Sequence, residues 1–151
     1  MTRPLGDRPA SSQQPIASVV RRVVSVFCLD RLGQEHDLEI ELGFDARDPY
    51  AVTVAFPTEP TAVAWSFARS LLSRGVTDPT GYGDVLVWPS LDGEGSAVVG
   101  IRLSSPDGQL ILEARASQVY SFLSATVALV PFGAESGHLD IDALVSQLLD
   151  R

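Results

Sequence analysis

The chain has a single cysteine, Cys28, and two histidines, His36 and His138, in 151 residues. A lone cysteine excludes an intramolecular disulfide, and neither histidine stands at a spacing from it that a Cys/His zinc cluster uses. Basic residues are scarce: 11 Lys and Arg face 19 Asp and Glu, for a net charge of −8 and a pI near 4.5. That field repels phosphate backbones, so nucleic acid is a poor default partner. Long apolar runs are missing too, none approaching the roughly 20 residues that cross a bilayer. The N-terminal "MTRPLGDRPASSQQP" has basic residues but lacks the apolar segment that a secretory signal needs. The expectation is a cytoplasmic protein without membrane insertion.

Signatures of catalysis are missing as well. No G-x-S-x-G elbow is present to hold a nucleophilic serine. The glycines of "GYGD" (81–84) come nearest to a phosphate loop, but G-x-G-x-x-G needs a strand before it and a helix after it, and here a strand follows. The plainer reading is a tight turn through Gly81 and Gly83, with Asp84 bonded to local backbone N–H groups. Carboxylates such as Asp45, Asp48, Asp78, Asp84, Asp92, Glu94 and Asp107 fall at turns, where they serve solvation and turn chemistry. His36 and His138 read as solvated surface groups, and Cys28 as an inert core thiol. No catalytic residue, cofactor or metal site is expected.

What is present is apolar material, 45% of the chain, enough to fill the core of one domain. Residues 1–16 are rich in Pro, Ser, Gln and Arg and read as a disordered arm, leaving 17–151 as a single domain. "VVRRVVSVFCL" (19–29) is dense in β-branched residues, interrupted by Arg21 and Arg22, and suits a mostly buried strand. "HDLEIELGFD" (36–45) alternates Leu38, Ile40, Leu42 and Phe44 against Glu39 and Glu41, the pattern of a half-buried strand. Val52, Val54 and Phe56 give a third strand after the Asp48-Pro49 turn. Alternation through Val63, Trp65 and Phe67 predicts a strand to about Ser66, then a short helix to Arg74 capped by Gly75. "DVLVWPS", "SAVVGIRLS" and "LILEARA" form a meander joined by "LDGEG" and "SSPDGQ".

Two helical patterns close the chain. "SQVYSFLSATVALV" has Ser117 as N-cap and Pro131 as terminator. "DIDALVSQLLD" has Asp140 as N-cap and a stripe of Ile141, Leu144, Val145, Leu148 and Leu149. The predicted fold class is α+β, a mostly antiparallel sheet of about seven strands with one short internal helix and two C-terminal helices. Trp88, at a strand end, reads either as core or as part of an exposed patch for a partner. Arg69 and Arg74 either pair with surface carboxylates or reach a partner.

In series stand "DPYAV" (48–52), "WSFARSLL" (65–72), "GDVLVWPS" (83–90), "LSSPDGQLILEA" (103–114), and "FLSAT" (122–126) with "VP" (130–131). Together these stretches resemble the SsgA-like proteins of actinobacteria. The resemblance covers roughly residues 20–150. It departs at Ser70, where the family often has Asp, and at Pro131-Phe132-Gly133, where it often has "PPG".

The resemblance implies a fold similar to the Whirly proteins, assembled as a homotrimer. It further implies a non-enzymatic adaptor of sporulation-linked division that positions or recruits the tubulin-like protein FtsZ, alone or through another SsgA-like protein, with division septa as its place of work. Tyr50, Arg69, Trp88 and Pro89 are the candidate protein-interaction residues. The alternative, by fold analogy, is single-stranded nucleic-acid binding through a face built from residues such as Arg21 and Arg22.

Overall fold

The computed structural model describes residues 18–30, 32–57 and 64–139, together with Val145, Leu148 and Leu149. The expected arm over 1–16, the Asp140 cap and most of the last helix lie outside the described residues.

Eight strands form one antiparallel sheet in the order β4-β3-β2-β1-β8-β7-β6-β5. They are β1 (Val19–Leu29), β2 (Glu35–Asp45), β3 (Ala51–Ala55), β4 (Ala64–Ala68), β5 (Thr80–Tyr82), β6 (Val85–Leu91), β7 (Ala97–Ser105) and β8 (Gly108–Arg115). Helix α1 (Arg69–Gly75) follows β4, and helix α2 (Ala116–Leu129) follows β8. The fold thus uses one unit twice: a four-strand meander, then a helix. The two meanders join where β1 pairs with β8, Val26 opposite Ala114 and Cys28 opposite Leu112.

Alternation decides which face is buried. Val20, Val24, Val26 and Cys28 of β1 share a face with Ile40, Leu42 and Phe44 of β2, in a register that puts Val20 opposite Phe44 and Val24 opposite Ile40. Val85 and Val87 of β6, Val99, Ile101 and Leu103 of β7, and Leu112 and Ala114 of β8 extend that face. Helix α2 lies on it with Val119, Phe122, Leu123 and Thr126 buried. Each fully buried large apolar side chain contributes about 1.5–3 kcal/mol, so this layer is the main source of stability.

Four expectations need correction. Thr80–Tyr82 is a strand paired with Val85–Val87, which makes eight strands; Gly81 pairs with Leu86, and only Gly83 and Asp84 form the turn. Arg21 and Arg22 do not interrupt β1; both are exposed on a continuous strand. Helix α2 starts at Ala116 after Arg115, without a side-chain cap, so Ser117 is not its N-cap. Gly75 is the last residue of α1 rather than its cap, and a Cβ there would overlap the Val87 side chain. That glycine serves the close approach of helix to strand.

Candidate functional site

The four expected interaction residues do not form one site. Tyr50, in the turn between β2 and β3, is 51% exposed. Its carbonyl accepts the backbone N–H of Arg69 at 2.7 Å, so the two residues adjoin. Arg69 itself, expected at the surface, is only 1% exposed and points inward. Trp88 and Pro89 lie on β6, separated from β3 in the sheet by β2, β1, β8 and β7. Trp88 is half-buried, its indole lying where a Cβ on Gly100 would be. Pro89 is exposed and lies beyond the segment that β5 pairs, where a missing N–H leaves no ladder bond unmade on the open edge.

Arg69 organises the first of these places. Its Nη1 donates to the Val130 carbonyl at 2.7 Å and to Thr126 Oγ1 at 3.3 Å, while Nη2 donates to Glu135 Oε2 at 2.9 Å. The guanidinium carbon lies 4.9 Å from the Phe44 ring centroid and 4.3 Å from that of Phe132. Helix α2 has no basic residue in its own last turn. A cation from α1 therefore satisfies the carbonyl at its C-cap, Val130, and offsets the negative end of its dipole. Glu135 also accepts the Gly133 N–H at 2.8 Å. Its own backbone N–H and the Arg69 guanidinium hold its carboxyl below the usual range.

This arrangement pins the chain after α2 to the start of α1, and it holds Phe132 in place at 47% exposure. Tyr50 and Phe132 are thus two exposed aromatics attached to one rigid corner. The sequence did not connect Glu135, Thr126 or Phe132 with Arg69, because they lie 57 to 66 positions away from it. The legible signal was Arg69 itself. It falls on the apolar stripe of α1 with Leu72 and Val76, both buried, where a charge must find a partner.

Elsewhere the polar groups are locally engaged. His36 meets Asp30 at 2.9 Å in an exposed pair, and Asp30 also accepts the backbone N–H groups of Leu32 and Gln34. These bonds, that of His36 foremost, lower the Asp30 carboxyl. Burial, with Asp30 nearby, pushes the Cys28 thiol up, so it stays protonated and unreactive at neutral pH. Asp92 closes the β6–β7 turn by accepting the N–H groups of Glu94 and Ser96. A depression of about 1070 Å³ is lined by Asp37, Glu39, Asp92, Glu94 and Glu113 with Arg115. Among the described residues no three His, Cys, Asp or Glu stand close enough to hold a metal ion.

The comparisons agree with one another. The family model described as "Streptomyces sporulation and cell division protein, SsgA" matches residues 38–135. The sporulation-specific cell division protein SsgB of Streptomyces coelicolor is 46% identical over 121 residues, 78% of this chain and 88% of that protein. SsgB of Salinispora tropica is 46% identical over 111 residues, 72% of this chain and 77% of that protein. A solved SsgB structure, from work correlating SsgB mutations with longitudinal cell division in Streptomyces coelicolor, superposes with a TM-score of 0.74 at 42% identity. It covers 80% of this chain and 95% of that one. The crystal structure of an SsgA-like sporulation-specific cell division protein from Thermobifida fusca gives 0.74 at 38% identity, covering 85% of this chain and 94% of that one.

Proposed function

Since the chain belongs to the SsgA family of sporulation and cell division proteins, we propose that it works as an adaptor that positions or recruits FtsZ, directly or through another SsgA-like protein. The role in sporulation-linked cell division rests on its relatives, and the family is one of division proteins, not of enzymes. The adaptor acts as a homotrimer in the cytoplasm, at division septa. Trimer symmetry would multiply individually weak contacts into avidity.

The observation that carries this reading is the corner built on Arg69. Tyr50 and Phe132 are exposed there, while the ion pair and the α2 terminus beneath them are fixed. Aromatics held rigidly at a surface lose little entropy when a partner covers them, which is what an interaction anchor needs. Trp88 and Pro89 on β6 are the second candidate patch. A sheet with helices on one face supports the Whirly likeness implied by the resemblance. Nothing favours the nucleic-acid alternative: the acidic depression is a field that repels phosphate.

A pull-down from extract of the source organism tests the reading. Wild type should retain FtsZ or an SsgA-like protein, and Tyr50→Ala should retain less while melting at the same temperature. Absence of both proteins from the wild-type eluate would overturn it.

A further inference from the structure

We propose that the apolar stripe of the C-terminal segment (140–151) of one copy docks in an open apolar groove of a second copy. The groove, of about 480 Å³, is lined by residues of β1, β2, β4, β7 and β8 and by Phe56, just after β3. Cys28, Leu38, Phe56, Trp65, Leu103 and Leu110 supply its apolar lining, and neither α1 nor α2 contributes a residue to it. Its polar lining is Asp30 and His36, which bond to each other, with Ser105, Asp107 and Gln109, and the surface it offers an occupant is mainly apolar.

The occupant is identified by what the same chain leaves uncovered. Val145, Leu148 and Leu149 are helical and 43%, 57% and 78% exposed. Their i, i+3, i+4 spacing puts them on one face, and Ile141 and Leu144 continue that face in the sequence. Among the described residues, Val145, Leu148 and Leu149 are exposed and no helix lines the groove, so a second copy can supply the cover that each surface needs. Each copy then gives one stripe and receives one, a head-to-tail contact that closes into a ring when the rotation permits. Helix-in-groove docking of this kind uses the anchors that the stripe provides. The inference deepens the self-assembly proposed above and rests on it, but is independent of FtsZ.

Cys28 is buried, so cysteines placed at exposed positions, Gln109 at the groove and Leu148 on the stripe, report on the contact. Full-length Cys28→Ser/Gln109→Cys/Leu148→Cys, oxidised with copper phenanthroline, should give a ladder of two or more copies on a non-reducing gel. The ladder should collapse with reductant and be lost when either introduced cysteine is left out. A disulfide formed at monomer mass, or thiols that stay free, would overturn the inference. Light scattering on the full-length Leu148→Asp/Leu149→Asp variant separates the two readings, since both side chains are exposed and their replacement leaves the core intact. Wild type should assemble and the variant should fall to monomer mass. A wild type that is itself monomeric overturns the assembly reading along with the inference. An assembled wild type whose variant keeps the same mass overturns the inference alone.

Discussion

Replacing Arg69 with alanine would strip the Val130 carbonyl and Glu135 of their buried donor at once. Removing one member of a buried ion pair costs about 3–5 kcal/mol, and at roughly 2–4 °C per kcal/mol for a chain of this size the melting point should fall on the order of 10 °C. Calorimetry checks this, and an unchanged melting point would show that the cluster carries no stability. The same cluster predicts a pH dependence. The Glu135 carboxyl lies below its usual value in the folded chain, so its contribution is complete above its unfolded pKa and is lost as pH falls through the folded one. Stability should therefore decline on acidification below the ordinary carboxylate range, less steeply in Glu135→Gln. Asp30, Asp45 and Asp92 are lowered too, so some slope should remain. At this scale the sequence marked Arg69 as a surface residue; its burial and its partners are set by the packing of two distant helices.

The elements were legible where side chains alternate over several residues. The period in β2 was clear, and the strand runs Glu35–Asp45. β5 escaped because three residues, one of them glycine, are too short to display a period. The caps of α1 and α2 escaped for a different reason: neither start uses a side-chain cap, and the end of α2 is satisfied by a residue from another element. Gly75 shows how packing overrides local preference. By helix propensity alone, Gly75→Ala should stabilise α1 by about 1 kcal/mol. The Val87 side chain occupies the space that the new methyl group needs, and overpacking of this kind costs about 1–3 kcal/mol. The expected sign is thus destabilising, and a urea titration reads it directly. A variant more stable than wild type would mean that α1 can lift from β6 without cost.

For the whole molecule, the order and periodicity of its segments pointed to an α+β chain with a mostly antiparallel sheet, and its motifs in series pointed to the family. The strand order was not legible, because β1 and β8 meet across most of the chain and no local pattern encodes that pairing. The repeated unit of four strands and a helix was hidden for a related reason: the two halves share an architecture without sharing a residue period. Of the four interaction residues named from sequence, Tyr50 and Pro89 are exposed, Trp88 is half-covered and Arg69 lies beneath the surface it supports. The proposed binding of division machinery would run through exposed residues held on a rigid frame. Cosedimentation with purified, polymerised FtsZ, with and without an SsgA-like partner protein from the same organism, tests it most directly. Wild type should pellet with the polymer in at least one of those mixtures, and Tyr50→Ala should pellet several-fold less at equal stability. Wild type left in the supernatant of both mixtures, or Tyr50→Ala pelleting as well as wild type, would contradict it.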